Sequence, residues 1–292
     1  MAKPFSRVTL YARHYRANRE VGDTLGALAS HLSKRRVNCS VEHETAQTFP
    51  HIKLPVVELT QVNQEDDLII VVGGDGSLLS AAQTAAQTGA AILGINRGHL
   101  GFLTDINPTH CEPVIDQILE GQYREEQRFL LAAHLEKTLL ALALNDVVIM
   151  PGQQPHLVAL DIFINEEFVC EQRADGMIIA TPTGSTAYAL SAGGPILHPA
   201  LDAMVLVPMF PHTLSTRPIV VAGDSQLRIR INERNESSPR LNCDGQSRVE
   251  IAPGQDVLIR KHPQSLRLIH PLDYNYYETL RSKLGWENKL KR

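Results

Sequence analysis

A strand, a glycine-rich turn and a helix follow one another between residues 68 and 89, and this order constrains the fold more than any other feature. Residues 68–72 are five apolar, mostly β-branched side chains, which predict a buried strand. Residues 73–76 read Gly-Gly-Asp-Gly and predict a turn. The alanine-rich run at 78–88, with Gly89 past its end, predicts a helix. The turn therefore follows the carboxyl end of a strand and opens a helix.

Asp75 is the one carboxylate within this turn. A turn of this kind lets backbone N–H groups approach a phosphate where the helix dipole is positive. The charge of Asp75 would repel a phosphate, so we interpret it as a base for a neighbouring hydroxyl group, or as a group that acts through a metal. The alternative is a purely structural turn, whose glycines supply positive φ and whose aspartate caps the helix. The flanking strand and helix favour phosphoryl transfer to an alcohol.

The motif is neither a dinucleotide-binding G-x-G-x-x-G nor a P-loop, because no lysine stands where a P-loop needs one. Composition excludes several other classes. A net charge of -4 and a pI of about 6.3 indicate no general affinity for nucleic acid or anionic membranes. No apolar run approaches the ~18 residues of a membrane span, and no signal run opens the chain, so we expect a cytoplasmic protein.

Cysteine and histidine spacing gives no sign of a metal site. The 4 cysteines are far apart without a C-x-x-C pair, and the 12 histidines show neither H-E-x-x-H nor H-x-H spacing. We therefore expect reduced thiols and no structural metal.

The 292 residues are enough for two domains. In the first, residues 1–120, strands alternate with helices, which predicts a Rossmann-like α/β domain with a parallel sheet that binds ligands at the carboxyl ends of its strands. Its strands are predicted at 7–12, 39–42, 68–72 and 91–95, with helices at 78–88 and 113–119 and another that presents Val21, Leu25, Leu28 and Leu32 on one face.

Residues 121–269 predict a β-rich, β-sandwich-like second domain, because helix signals nearly vanish and short strand-like runs follow closely. These runs lie at 139–144, 156–164, 168–171, 177–180, 204–207, 219–221, 227–231 and 256–259. The tail returns to helical spacing at 275–284, and we expect residues 270–292 to join the first domain.

Three further segments each allow two interpretations. Phe102, in a glycine-containing loop after the fourth strand, is either core or a ring that stacks on a base. Asn145-Asp146 is either a polar pair that forms a turn or a pair suited to bind the two hydroxyl groups of a ribose. The hydroxyl- and glycine-rich residues 181–195 are either a linker or a nucleotide-binding loop; they are too polar for core and too long for a tight turn. Residues 241–246 predict a hairpin turn on Asp-Gly.

Taken together, these segments resemble the bacterial NAD kinase family. The family motifs occur in order: G-G-D-G at 73–76, N-x-G-x-x-G-F-L at 96–103, an N-[E/D] pair at 145–146, and T-P-T-G-S-T-A-Y with a trailing S-A-G-G-P at 181–195. The first motif alone is weak, because diacylglycerol-type lipid kinases and phosphofructokinases also carry it. The last is highly specific.

The resemblance implies ATP-dependent phosphorylation of the 2′-hydroxyl group on the adenosine ribose of NAD, which gives NADP. Asp75 would be the catalytic base and Gly76 would lie against the same ribose. The ATP phosphates would be bordered by Gly73, Gly74 and Ser77. The NAD pocket would be formed by Asp75, Gly76, Phe102, Asn145, Asp146, His156, Arg173, Asp175, Thr183, Thr186, Ala187, Tyr188, Ala189, Leu190, Ser191 and Gln246. The sequence departs mildly from the family at Ser77, where threonine or asparagine is common, and at Asp146, where glutamate is common.

The resemblance also implies Mg²⁺ as cofactor, held mainly through the ATP phosphates and not by a protein ligand cluster. It implies a homo-oligomer, a dimer or a tetramer, assembled through the β-rich domains. Two alternatives remain from the residues themselves: a lipid kinase of the same superfamily, and a non-catalytic dinucleotide sensor on the same scaffold.

Overall fold

The computed structural model describes residues 5–13, 18–62, 67–98, 101–152 and 156–286, so residues 287–292 of the predicted tail lie outside it. The helices are α1 (Arg19–Lys34), α2 (His43–Thr48), α3 (Asp75–Thr88), α4 (Cys111–Leu119), α5 (Tyr188–Ser191) and α6 (Tyr276–Leu284). The strands are β1 (Arg7–Tyr11), β2 (Asn38–Glu42), β3 (Val56–Val57), β4 (Asp67–Gly73), β5 (Ala91–Asn96), β6 (Arg124–Leu135), β7 (Thr138–Ala143), β8 (Asp146–Met150), β9 (Val158–Ile164), β10 (Glu167–Ala174), β11 (Gly176–Ala180), β12 (Ala203–Met209), β13 (Ile219–Ala222), β14 (Leu227–Ile231), β15 (Arg240–Cys243), β16 (Ser247–Glu250) and β17 (Asp256–His270). Short 3₁₀ helices occur at Leu59–Gln61, Pro108–His110 and Gly184–Thr186.

The chain divides into two compact units. The first contains Met1–Gln127 together with Leu266–Arg292, and the second contains Arg128–Ser265. The long strand β17 supplies residues to both units. Over the described part of the chain, no helix is long and apolar enough to cross a membrane.

The first unit is built on a parallel sheet, as its alternating pattern predicts. Its strand order is β3-β2-β1-β4-β5-β17, and every neighbouring pair in this order runs parallel. The predicted apolar face of α1, formed by Val21, Leu25, Leu28 and Leu32, packs into a core shared with β1, β4 and β5. Helix α3 packs against β4 and β5.

Helix α3 differs from its predicted limits at one end only. It begins at Asp75 instead of residue 78, because Gly74 takes the extended N-cap conformation and its carbonyl accepts the amide of Leu78 at 3.3 Å. Gly89 ends the helix with φ of 78°, in the left-handed region that glycine enters without steric cost. Asp75 is therefore the first helical residue.

The second unit is a sandwich of two antiparallel sheets. One contains β10-β9-β14-β17 with the β6–β7 pair, and the other has the order β13-β12-β11-β8-β15-β16. Side chains from both sheets form one apolar core. The prediction of a β-rich, sandwich-like second half is confirmed.

The six-stranded sheet is covered on its other face as well. Val148, Ile178 and Val205 point away from the shared core and pack with Ala189 and Leu197. This apolar contact fixes the hydroxyl- and glycine-rich segment on the sheet, so that segment is an ordered part of the unit.

Candidate functional site

The glycine turn of the first unit lies at the carboxyl ends of β4 and β5, where it was expected. Gly73 pairs with Asn96 of the neighbouring strand, and the carbonyl of Gly73 accepts the amide of Arg97 at 2.9 Å. A Cβ atom at Gly73 would overlap the side chain of Ser77, so the turn admits no larger residue there. The turn and the loop after β5 are thus neighbours within this unit.

The carboxylate of Asp75 is held by the backbone of the loop that follows β5. Its Oδ2 accepts the amide of Phe102 at 2.8 Å. Its Oδ1 accepts the amides of Leu103 and Thr104, and also the Thr104 hydroxyl group, each at 3.1 Å. A Cβ atom at Gly101 would overlap Oδ1, so glycine is required for this approach. The two oxygens are unequal, because within the described part of the chain Oδ1 has three donors and Oδ2 has one.

Basic side chains lie beside two of the predicted site residues in this unit. The Arg13 guanidinium donates to the carbonyl of Gly76 at 3.2 Å. Phe102 is half-buried, and the Nζ of Lys283 from α6 lies 5.7 Å from its ring centroid. The loop also borders a cavity of about 410 Å³ whose lining includes Asn96, Arg97, Gly98 and Asp105.

Asn145 and Asp146 stand at the start of β8 in the second unit, and Asp244 fixes their backbone. Oδ2 of Asp244 accepts the amide of Leu144 at 2.8 Å, and Oδ1 accepts those of Asn145 at 2.8 Å and Asp146 at 3.1 Å. Asp244 and Gly245 have φ of 49° and 69°, which confirms the predicted hairpin turn between β15 and β16. Gln246 follows on this turn and is exposed.

Both carboxyl groups at this corner have raised pKa values. Burial, followed by the negative charge of Asp244, raises the pKa of Asp146 to about 7. Burial also raises the pKa of Asp244, although its three backbone hydrogen bonds oppose the shift. Near neutral pH, Asp146 can therefore exchange a proton and act as donor or acceptor.

The segment at 181–195 reaches the same corner through its backbone and hydroxyl groups. The Thr181 hydroxyl group donates to the carbonyl of Leu144 at 2.6 Å, and the amide of Thr181 donates to that of Asn145 at 2.9 Å. A Cβ atom at Gly184 would overlap the carbonyl of Asn145. Ser185, fully buried, donates to the carbonyl of Pro182 at 2.7 Å. The Asn145-Asp146 pair and the segment at 181–195 are thus in direct contact.

The predicted residues of this segment differ in exposure. Tyr188 is 42% exposed and Ser191 is exposed, whereas Thr183 is buried and receives a hydrogen bond from Arg128 at 3.3 Å. Ala189 is fully buried in the apolar cluster, so its side chain contributes packing. Thr186, Ala187 and Leu190 are half-buried.

His156 and Arg173 line a separate cavity of about 520 Å³ in the second unit. Arg234, Asn235 and Glu236 contribute to the same lining, which includes no residue of the Asn145 corner. Asp175 is exposed in the connection between β10 and β11.

Sequence reasoning missed Asp244 and Thr181 as residues that shape the site. The signal for Asp244 was an aspartate directly before a glycine, which predicts a turn but not the distant amides that its carboxylate holds. Thr181 stood within the recognised motif, yet only the structure shows its contact with Leu144.

The first unit presents a carboxylate from a glycine turn at the start of a helix. The second unit is a β-sandwich that bears a hydroxyl-rich segment. This is the organisation of a nucleotide-dependent kinase. Two family models match the chain: ATP-NAD kinase N-terminal domain over residues 18–123 and ATP-NAD kinase C-terminal domain over 144–271. The chain therefore belongs to the ATP-NAD kinase family, and the resemblance drawn from its motifs is confirmed.

Relatives named NAD kinase match over nearly the whole chain. An NAD kinase of Legionella pneumophila (strain Corby) is 50% identical over 293 residues, covering 99% of each chain. An NAD kinase of Coxiella burnetii (strain Dugway 5J108-111) is 52% identical over 294 residues, covering 99% of this chain and 97% of its own.

Two solved structures share the fold. A yeast NADH kinase complexed with NADH has a TM-score of 0.87 and 26% identity, covering 99% of this chain and 90% of its own. An NAD kinase from Archaeoglobus fulgidus in complex with ATP has a TM-score of 0.72 and 22% identity, covering 96% and 97%. The predicted fold class is confirmed.

Proposed function

We propose that the protein transfers the terminal phosphoryl group of ATP to the 2′-hydroxyl group on the adenosine ribose of NAD, giving NADP. Family membership and relatives named NAD kinase at 50–52% identity support the reaction. The yeast neighbour, which is complexed with NADH, supports a dinucleotide acceptor. The observation that carries the mechanism is the Asp75 carboxylate, held in a defined orientation within the glycine turn.

Oδ2 of Asp75 is the atom that would take the proton of the attacking hydroxyl group. Among the described residues, Oδ1 accepts three hydrogen bonds and Oδ2 accepts one, from Phe102. A carboxylate oxygen has about two lone-pair sites, so Oδ2 retains acceptor capacity while Oδ1 does not. Gly76 would leave room for the ribose beside this oxygen, because among the described residues outside its own helix the Arg13 guanidinium is the one group within 4 Å of a Cβ built there.

The start of α3 would bind the phosphates of ATP. Gly73 ends β4, Gly74 is the N-cap of α3 and Ser77 lies in the first turn, where the helix dipole favours negative charge. Arg13 adds a positive side chain beside the turn. Phosphoryl transfer depends on such positioning and charge neutralisation more than on covalent chemistry.

Mg²⁺ is the proposed cofactor, and the donor set fits an ion held chiefly by substrate. Among residues 5–13, 18–62, 67–98, 101–152 and 156–286, no group of three or more His, Cys, Asp or Glu side chains could hold a metal. Mg²⁺ keeps several waters and needs few protein ligands when it binds with ATP. When bound, it would neutralise charge on the transferring phosphate.

The second unit would bind NAD. Asn145 and Asp146 would hold ribose hydroxyl groups, and the exposed Tyr188 offers a ring for a base. The remaining predicted contacts are Phe102 of the first unit and, in the second unit, His156, Arg173, Asp175, Thr183, Thr186, Ala187, Ala189, Leu190, Ser191 and Gln246. The rigid backbone of the Asn145 corner supports this role, because a site that must place two hydroxyl groups gains from fixed partners.

The decisive experiment is Asp75→Asn in an ATP and NAD assay followed by mass spectrometry. We expect turnover to fall by roughly 10²–10⁴-fold, the usual contribution of a general base, while NAD still binds by calorimetry. Asp23→Asn, an exposed aspartate of α1 in the same unit, is the control and should keep wild-type turnover. Turnover of Asp75→Asn within tenfold of wild type would refute the base.

The same assay also tests the two alternative functions, a lipid kinase and a non-catalytic dinucleotide sensor. The matched families and relatives favour neither of them. Diacylglycerol offered with ATP and Mg²⁺ in place of NAD tests a lipid kinase. A sensor would bind NAD and form no NADP. A polyphosphate control identifies the phosphoryl donor.

We further propose that the second unit associates with a second copy of the chain, giving a dimer or a tetramer in the cytoplasm. The edge strand β13 exposes Ile219 and Val220, and nearby in sequence Phe210 is 79% and Leu214 is 93% exposed. Unpaired apolar edges of this kind are normally covered. Light scattering of Val220→Lys should show smaller particles than the wild type, and cell fractionation tests the location.

A further inference from the structure

His270, the last residue of β17, lies fully buried between two carboxylates of the first unit. Its Nδ1 is 2.7 Å from Oδ2 of Asp105, and its Nε2 is 3.7 Å from Oε2 of Glu126. The ring of Tyr274 stacks on the imidazole with 3.8 Å between centroids. An ionised carboxylate only accepts hydrogen bonds, so the ring nitrogen that faces each carboxylate is suited to it when that nitrogen carries a proton. The two carboxylates therefore favour the protonated form of His270.

Asp105 continues the loop that holds Asp75. The amides of residues 102–104 donate to Asp75, and Asp105 is the next residue. On the other side, Asn96 ties the loop to β5: its amide donates to the carbonyl of Ile106 at 2.9 Å, and its Nδ2 to the carbonyl of Thr104 at 3.2 Å. The loop is thus anchored at β5 and at the end of β17.

We infer that His270 is a positioning residue for phosphoryl transfer, which holds Asp105 and so fixes the amides that orient the carboxylate of Asp75. This inference rests on the proposed role of Asp75 as base. His270 does not touch substrate. It acts through the loop, so its loss should lower kcat more than it changes the KM for NAD.

The charge on His270 gives this role a pH dependence. Burial alone lowers the pKa of His270, but the hydrogen bonds and negative charges of Asp105 and Glu126 together outweigh burial and raise it above the usual value. Tyr274 covers the ring face, and Arg124 donates to the Tyr274 carbonyl at 2.8 Å. The loop is therefore held at low and neutral pH, and the hold is lost as pH rises through the folded-state pKa of His270.

The first unit contains a matched control in His31. Its Nε2 lies 2.8 Å from Oδ1 of Asp116 and its Nδ1 lies 3.4 Å from Oε2 of Glu112, so it also stands between two carboxylates. It joins α1 to α4, because both of its carboxylate partners lie on α4. His31→Gln therefore measures what removing a histidine from between two carboxylates does to the first unit in general.

The experiment compares His270→Gln, His31→Gln and the double variant His270→Gln with Asp105→Asn. Steady-state kinetics with ATP and NAD are measured from pH 6 to 10, and hydrogen exchange is measured by mass spectrometry on the peptide that covers residues 101–106. The double variant removes the unpaired buried carboxylate, so it stays measurable if the single variant folds poorly.

We expect His270→Gln and the double variant to lose roughly 10–100-fold in kcat, with the KM for NAD within threefold and a flattened alkaline limb. Exchange at 101–106 should rise at least tenfold in both, and neither change should occur in His31→Gln. Unchanged exchange at 101–106, or equal losses in His31→Gln, would overturn the inference. If the wild type forms no NADP, the proposed function fails, whereas the exchange measurement still decides whether His270 holds the loop.

Discussion

Replacing Asp146 with asparagine should stabilise the second unit, and by more at pH 8 than at pH 5. Burial and the neighbouring charge of Asp244 raise the pKa of Asp146 from 3.8 to about 7. Between these values the folded chain keeps a proton that the unfolded chain has lost. Because the folded state binds more protons, stability falls as pH rises over this range and is constant above it.

The size of the effect follows from the shift. From pH 5 to the folded-state pKa of about 7, two pH units at about 1.4 kcal/mol each correspond to about 3 kcal/mol. Asparagine carries no charge, so the variant lacks this penalty. The difference in unfolding free energy between variant and wild type should therefore grow by about 3 kcal/mol from pH 5 to pH 8, or roughly 10 °C in the melting temperature of the second unit.

Differential scanning calorimetry is the suitable assay, because it resolves separate transitions of two units. Glu167→Gln makes the same chemical change at an exposed site on β10 and should show no such pH dependence. A stability difference for Asp146→Asn that is equal at pH 5 and pH 8 would refute the claim that burial holds this carboxyl group neutral. We expect the stabilised variant to bind NAD more weakly, because functional sites often retain groups that lower the stability of the fold.

Three glycine substitutions test the backbone geometry. Gly101→Ala should lower kcat by roughly 10–100-fold, because the new Cβ overlaps Oδ1 of Asp75, and steady-state kinetics would contradict this if turnover stayed at the wild-type value. Gly184→Ala should destabilise the second unit by about 1–3 kcal/mol in calorimetry, because its Cβ overlaps the carbonyl of Asn145; an unchanged melting temperature would count against that contact. Gly26→Ala, in the middle of α1 with its nearest neighbour 4.0 Å from the new Cβ, should stabilise the chain by about 0.5–1 kcal/mol without loss of turnover, and any destabilisation would show that the helix is more crowded there.

Elements with a regular apolar pattern were predictable from sequence. The buried face of α1 was found because its apolar side chains recur at helical spacing, and the strands at 68–72 and 91–95 because each is a short, largely apolar run. Strand β6 was missed because its first five residues, Arg-Glu-Glu-Gln-Arg, read as a solvated loop. Strand β17 was predicted only at 256–259, because the polar residues 260–265 conceal its continuation to His270.

The residues of the candidate site also fall into two groups, those that the local sequence indicates and those that it does not. Asp75 stood out because a carboxylate within a glycine turn is chemically unusual. The role of Asp244 depends on amides about a hundred positions earlier in the chain, and His270 depends on Asp105 and Glu126. No local pattern encodes contacts of this kind, so they became visible only in three dimensions.

The pairing of β5 with β17 has a consequence for synthesis on the ribosome. On one side Ala91 and Ile92 pair with Leu68 and Ile69 of β4, but on the other side their parallel partners are Arg267 and Leu268 of β17. At about 5–20 residues per second, the roughly 170 intervening residues take on the order of 10–30 s to emerge. During that time a nascent chain carries β5 as an open hydrophobic edge, which makes this the interval in which chaperones matter most.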